Sequence, residues 1–298
     1  MLSPLIRWPN SLCHYRASVH LLQLLDEKIA NNSALAADLE AIARAFFKSW
    51  FVDFDPVKAK MEGRLPVGMD ADTAALFPDE LIESELGLIP CGWEAATLAN
   101  HAALNPESWS ARNHPETVQY ADLAGTDRGQ IVETKTFVWE DAPSRARRVL
   151  RLGDTIIGTV RPGNRAYSFV GVDGLTGSTG FAVLRPNNSS QRSLVYLAAT
   201  SDDAINRLVN LADGAAYPAV RPDVVAATPI VTPPDAVIEE FAKITQPLLD
   251  WVVAAHAENT ELAQLRDILL PRLISGKLRL PGVFNDTEPT LSEEHTNV

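Results

Sequence analysis

Two long apolar stripes, about 190 residues apart, set the terms for everything between them. Leu22, Leu25, Ile29, Asn32, Ala36, Leu39, Ala43 and Phe46 follow one another in steps of three and four. Val237, Phe241, Ile244, Leu248, Trp251, Ala255, Glu258, Leu262, Leu265 and Leu269 do the same. This is the a/d spacing of a coiled coil, sustained each time for more than three heptads. Only Asn32 and Glu258 are polar in these seams, and a buried polar residue fixes register and partner at some loss of stability. A helix of about 30 residues spans about 45 Å, longer than a small domain requires; the alternative is that each stripe simply packs on a local core. The helices also share a signature, Asn32-Ser33-Ala34-Leu35-Ala36 and Asn259-Thr260-Glu261-Leu262-Ala263. Two related helices bracketing one module suit spacing and recognition, and nothing in them marks an active site.

The charge balance excludes a general nucleic-acid binder at first sight, because the net charge is −12. Its distribution changes that reading. Asp70, Asp72, Asp79, Glu80, Glu83 and Glu85 are uncompensated between 65 and 87, as are Asp286, Glu288, Glu293 and Glu294 after 280. The remaining body is close to neutral, and between 143 and 169 Arg145, Arg147, Arg148, Arg151, Arg161 and Arg165 face only Asp154. Such a local excess suits a phosphate backbone; solvated strand and loop arginines are the plainer reading. No run of about 18 apolar residues exists, so no membrane span is expected. Pro4, Arg7, Pro9, Asn10 and His14 break up the start, which argues against a signal peptide. Cys13 and Cys91 are too few for a disulfide framework or a zinc site, and a cytoplasmic protein is the default.

Periodicity and breakers divide the chain. Residues 1–20 read as an irregular leader and 21–61 as the first helix region, ending near Asp53-Phe54-Asp55-Pro56 because a residue before proline leaves helical geometry. Residues 62–90 read as a linker with at most a short helix at 79–85. From 91 to 235 short apolar runs alternate with turns such as Arg161-Pro162-Gly163-Asn164, which predicts strands and hairpins with one helix at 191–211. Residues 236–280 form the second helix, with Asp235 placed to cap it and Pro247 to kink it or free one backbone bond. Residues 281–298 read as a disordered acidic tail. The fold class is α/β in the broad α+β sense: one globular domain of mixed strands and helices flanked in sequence by long coiled-coil-forming helices.

Specific runs carry a family resemblance. Leu25-Asp26-Glu27-Lys28-Ile29-Ala30-Asn31-Asn32 and Phe47-Lys48-Ser49-Trp50-Phe51-Val52-Asp53-Phe54-Asp55-Pro56-Val57 resemble the central helical region of type I restriction–modification specificity subunits. Leu265-Arg266-Asp267-Ile268-Leu269-Leu270-Pro271-Arg272-Leu273-Ile274-Ser275-Gly276 resembles their closing helix. Gly92-Trp93, Gly153-Asp154-Thr155-Ile156-Ile157, Gly177-Ser178-Thr179-Gly180-Phe181 and Gly214-Ala215-Ala216-Tyr217-Pro218 resemble their target-recognition domain. The resemblance covers about 21–280. It departs from the family in carrying one recognition domain where most members carry two, as a natural half-subunit or the C-terminal half of a broken gene would.

The resemblance implies a subunit without chemistry of its own. It implies double-stranded DNA as ligand, a methyltransferase subunit using S-adenosylmethionine as partner, and a motor–endonuclease subunit, with ATP and Mg²⁺ belonging to partners and no cofactor or metal to this chain. One recognition domain further implies a homodimer through antiparallel helices, reading a palindromic split site. Candidate DNA contacts are then Arg145, Arg147, Arg148, Arg161, Arg165, Tyr167, Ser178, Thr179, Tyr217 and Arg221, since arginines suit guanine and phosphate and hydroxyls suit base edges. Helix pairing or a partner interface falls to Leu25, Ile29, Asn32, Leu39, Phe46, Trp50, Phe51, Leu248, Trp251, Leu262, Leu265 and Leu269.

Two rivals remain at this level. Asp122, Glu133 and Lys135 have the acid-x-Lys look of a metal-dependent nuclease, although Glu133-Thr134-Lys135 is a short motif that arises by chance. A truncated scaffold that binds the methyltransferase subunit and reads no DNA is the other. No Gly-rich phosphate loop with Lys-Ser/Thr is present.

Overall fold

The computed structural model describes residues 12–214, 216–278 and 280, with side chains from Arg16 onward. The expected acidic tail at 281–298 lies outside the described residues. The described residues fall into two compact units, one of those up to Leu35 together with those from Ala255 onward, the other Ala36–Ala254. No helix among the described residues is long and apolar enough to cross a membrane.

In the first unit, parts of α1 (Leu12–Phe51) and α7 (Asp235–Ile274) pair antiparallel. Asn32 Nδ2 donates to Glu258 Oε2 at 2.7 Å, and Arg266 Nη1 reaches Asp26 at 3.0 Å. Lys28 joins Glu258 at 3.2 Å. The Asn32 amide, then Lys28, hold the Glu258 carboxyl below its ordinary pKa. Asn259 Nδ2 donates to the Ile29 carbonyl at 3.2 Å and to Ser33 Oγ at 3.0 Å. Polar contacts thus fix the register of the pair, as the buried Asn32 foreshadows. The seam expected between two copies is occupied here within one chain.

Two sequence expectations for these helices are corrected. Helix α1 begins at Leu12, so 12–20 is helical and not an irregular leader. Trp251 and Leu265 are 64% and 45% exposed, and Glu258 is exposed as well. Val252 and Asn259 are buried in their stead, and Arg266 is half-buried. A straight helix advances 3.6 residues per turn, so a strict heptad reading from Val237 drifts off the true stripe by about 20° per heptad. Helix α7 continues through Pro247, whose missing N–H leaves the Lys243 carbonyl without its helical donor on an exposed face.

Replacing Asn32 by Asp removes the donor and sets a second carboxylate against Glu258. Faster amide hydrogen exchange is expected across 20–35 and 255–270. Exchange at the wild-type rate would contradict the pairing.

The second unit is the mixed domain. After α1 the chain turns at Phe54, in the left-handed region at φ 56°, and Pro56 opens α2 (Asp55–Met61). Asp53 and Asp55 flank this turn, and Lys48 pairs with Asp53 there. Next come α3 (Ala71–Ala75), capped by Asp70, and a hairpin of β1 (Leu81–Ser84) and β2 (Gly87–Pro90). The hairpin replaces the short helix expected at 79–85. Ser84 faces Gly87 across a two-residue turn, and Gly87 at φ 89° supplies the left-handed step.

The strands β3 (Glu94–Thr97), β4 (Ala102–Leu104), β5 (Thr117–Ala121), β6 (Thr126–Asp127), β7 (Gln130–Ile131) and β8 (Lys135–Val138) follow, then β9 (Ala146–Val149), β10 (Thr155–Gly158), β11 (Tyr167–Phe169), β12 (Leu175–Ser178) and β13 (Phe181–Pro186). Two four-stranded sheets result, ordered β11-β10-β13-β4 and β8-β5-β12-β9. Only β5 and β12 pair in parallel among these strands. Leu150, Ile156, Val170, Leu175, Phe181 and Val183 form one buried cluster among them. Strands β10 and β12 are buried throughout, which explains why they read as unbroken apolar or small runs and show no alternation.

The single helix expected at 191–211 is two, α4 (Arg192–Ala199) and α5 (Asp202–Asn210). Ser201 makes the break: its side chain accepts from the Ala204 N–H, and Asp202 and Asp203 sit in the new first turn. After α6 (Pro222–Ala226), β14 (Pro229–Thr232) pairs with β3 and leads into α7.

A second cluster joins α1 to α7 inside this unit. Phe241 is fully buried, with ring centroids 4.7 Å from Phe51, 5.7 Å from Trp50 and 6.5 Å from Phe47. Trp50 and Phe51 are therefore core residues here and not a partner interface. Buried His101 contacts Thr232 Oγ1 at 2.8 Å. Burial depresses its pKa, and Asp235 opposes the shift. A depressed folded pKa means that stability is fully present above the unfolded value and is lost as pH falls through the folded one. The melting temperature should therefore fall as the pH drops below about 6.5, the ordinary histidine value. His101→Gln, which keeps a partner for Thr232, should flatten that fall in calorimetry. An unchanged profile would assign the pH response elsewhere.

Candidate nucleic-acid interface

The candidate surface is built on loops at the ends of β5, β10 and β12. Arg145, Arg161, Ser178, Thr179 and Tyr217, all expected from sequence, line one depression of about 580 Å³. Local backbone bonds bring them together. The Thr179 N–H donates to the Arg145 carbonyl at 2.8 Å. The Arg161 N–H donates to the Pro218 carbonyl at 2.7 Å, which ties the 161–165 loop to the segment carrying Tyr217. Pro162 opens a short 3₁₀ turn, Pro162–Asn164, flanked by Arg161 and Arg165 in the left-handed region at φ 49° and 57°. Non-glycine residues occupy that region at a cost of about 1 kcal/mol or more.

The side chains differ in what they leave free. The Arg161 guanidinium lies 4.5 Å from the Tyr217 ring centre and donates to the Ala216 carbonyl at 3.2 Å. Tyr217 is 70% exposed beneath it. Neither Arg145 nor Arg161 has a carboxylate partner among the described residues. In a chain of net charge −12, unpaired guanidiniums at one depression mark a place for an outside anion. Ser178 is buried, and its hydroxyl accepts from the Gly180 N–H at 3.1 Å, so it shapes the turn. Thr179 is exposed.

The other candidates lie elsewhere or are engaged. Arg147 sits 4.4 Å from the Trp139 ring centre, and Trp139 stacks on His114 at 4.2 Å. Arg148 donates to Ser108 Oγ at 3.2 Å, and burial lowers its pKa. Arg165 pairs with Asp202 at 2.7 Å, which raises its pKa. Tyr167 is buried and accepts from Arg44 at 3.5 Å; it is an interior residue. Arg221 pairs with Asp223 at 3.2 Å, both largely exposed. Arg151, part of the same sequence run, bonds Glu107 at 2.8 Å. The Asp154 carboxylate accepts from the Arg185 guanidinium at 2.9 Å and from the Arg151 backbone N–H at 2.8 Å.

Among the lining residues that the sequence reading of this surface did not name are Asp122 and Asn164. Asn164 ends the Arg161-Pro162-Gly163-Asn164 turn, so the turn motif was the available signal. Glu133 and Lys135 pair at 3.4 Å with both side chains mostly exposed, and Asp122 is held by the Gly125 N–H at 2.9 Å. Among the described residues no cluster of three or more His, Cys, Asp or Glu is placed to hold a metal ion.

The chain matches no family model. It is 24% identical over 305 aligned positions to the type I restriction enzyme HindI specificity subunit of Haemophilus influenzae, covering 85% of this chain and 65% of that protein. It is also 24% identical over 276 positions to the type I restriction enzyme MjaIX specificity subunit of Methanocaldococcus jannaschii, covering 87% and 57%. The chain thus spans less than two thirds of the length of these curated relatives. A crystal structure of the type I restriction-modification system S subunit from M. genitalium shares the fold, with a TM-score of 0.54 and 14% identity over 89% of this chain and 61% of that one. By these likenesses the chain is similar in sequence to type I restriction enzyme specificity subunits and in fold to the M. genitalium S subunit.

Proposed function

We propose that this chain is the DNA-recognition subunit of a type I restriction–modification complex. The observation that carries this reading is the depression lined by Arg145 and Arg161, whose guanidiniums lack acidic partners in an acidic chain. Arginine suits both phosphate and guanine, while Thr179 and Asn164 suit base edges. The chain performs no chemistry itself. It holds double-stranded DNA for a cytoplasmic methyltransferase subunit, which methylates adenine with S-adenosylmethionine. A motor–endonuclease subunit using ATP and Mg²⁺ joins for cleavage. Two copies act together, each reading one half of a split palindromic site. Because α1 and α7 pair within the chain, the copies or the partner subunits meet on outer helix faces, where Leu24, Leu35 and Ile268 are exposed.

The test is a methylation map of a DNA host expressing this chain with its own methyltransferase subunit. A split, palindromic methyladenine motif is expected. No new methylation, with both proteins folded and associated, would replace the proposal with a scaffold that binds the methyltransferase and reads no DNA.

A further inference from the structure

An acid in the middle of an arginine-lined surface works against generic DNA binding, because a carboxylate repels phosphate. Asp122 is such an acid: it lines the depression with Arg145 and Arg161, yet forms no salt bridge with either. Its carboxylate is held in place from its own turn. Oδ1 accepts the Gly125 N–H at 2.9 Å, and the Asp122 carbonyl accepts the Thr126 hydroxyl at 2.8 Å. The turn packs closely at Gly125, where a Cβ would come 2.7 Å from the Glu133 carbonyl oxygen, so glycine is required there. Oδ2 accepts nothing among the described residues.

We infer that Asp122 determines specificity by accepting a hydrogen bond from the exocyclic amine of a base. This rests on the DNA-reading role proposed above. In the major groove only cytosine N4 and adenine N6 donate, whereas guanine and thymine present O6 or O4 acceptors in the corresponding place. An ionised carboxylate is acceptor-only, so it rewards an amine and repels a carbonyl oxygen. The surrounding arginines supply affinity, and Asp122 converts part of it into discrimination at one base pair.

The experiment is selection of binding sites from a randomised duplex DNA library by the full chain, as wild type, Asp122→Asn and Asp122→Ala. Asparagine keeps Oδ1 for the Gly125 N–H and turns Oδ2 into a donor. Wild type should select cytosine or adenine at one position of its motif, and the base found distinguishes the two amines. Asp122→Asn should shift that position alone toward guanine or thymine, by about tenfold or more. Asp122→Ala should flatten the preference there. A wild-type motif that both variants reproduce, with melting temperatures matching wild type, overturns the inference while leaving DNA reading intact. A wild type that selects no motif sinks the DNA-reading role, and this inference with it.

Discussion

Phe241→Ala is expected to lower the melting temperature of the second unit by on the order of 10 °C. The ring is fully buried and touches Phe47, Trp50 and Phe51 at once. Truncating a buried phenylalanine costs about 3–5 kcal/mol, from lost transfer energy and the cavity left behind. For a domain of this size each kcal/mol moves the midpoint by about 2–4 °C. The neighbouring rings cannot collapse freely into the space, because Trp50 is also held edge-on by Phe77 at 5.0 Å. Near-ultraviolet circular dichroism, which follows the packed tryptophans, is the direct readout. A midpoint within about 2 °C of wild type would mean that this cluster does not hold the unit together.

Combined Arg145→Ala and Arg161→Ala should weaken binding to a cognate duplex on the order of a hundredfold, since an arginine bound to a base or a phosphate is worth about 1–3 kcal/mol. The salt dependence separates the two roles. Removing an arginine that binds phosphate lowers the slope of log K against log salt by about 0.9. Removing one that reads a base leaves that slope on random DNA unchanged and relaxes one position of the motif. Arg165→Ala is the control, because its guanidinium is already engaged by Asp202. It should leave the slope unchanged. Affinity and slope at wild-type values in the double variant, measured by anisotropy at several salt concentrations, would remove the depression from the DNA interface.

Legibility in the sequence followed the range of the interactions involved. Helices α1 and α7 were readable because apolar spacing is local, and the phase of α7 failed where heptad counting outran helical geometry, at Trp251, Glu258 and Leu265. The hairpin at 81–90 was missed because its acids, Glu83 and Glu85, mask a short strand pair whose decisive residue is Gly87. The split between α4 and α5 was signalled by Ser201-Asp202-Asp203, a capping pattern inside an otherwise helical run. The arginine run was visible, but which members stay unpaired was not. That depends on Glu107, Asp202 and Ser108, distant in sequence and adjacent only after folding. Asp122 joined the surface through the same kind of long-range placement.

The loop at 161–165 holds arginine twice where the backbone would rest more easily with glycine. Random change at these positions therefore meets a gradient toward glycine that favours folding and erases the guanidinium. At 161 a lineage that keeps arginine is selecting for what the guanidinium touches, whereas at 165 the ion pair with Asp202 gives arginine a structural reason to stay. Substitution at 161 is thus the place where a working reading surface and a decaying one would begin to diverge.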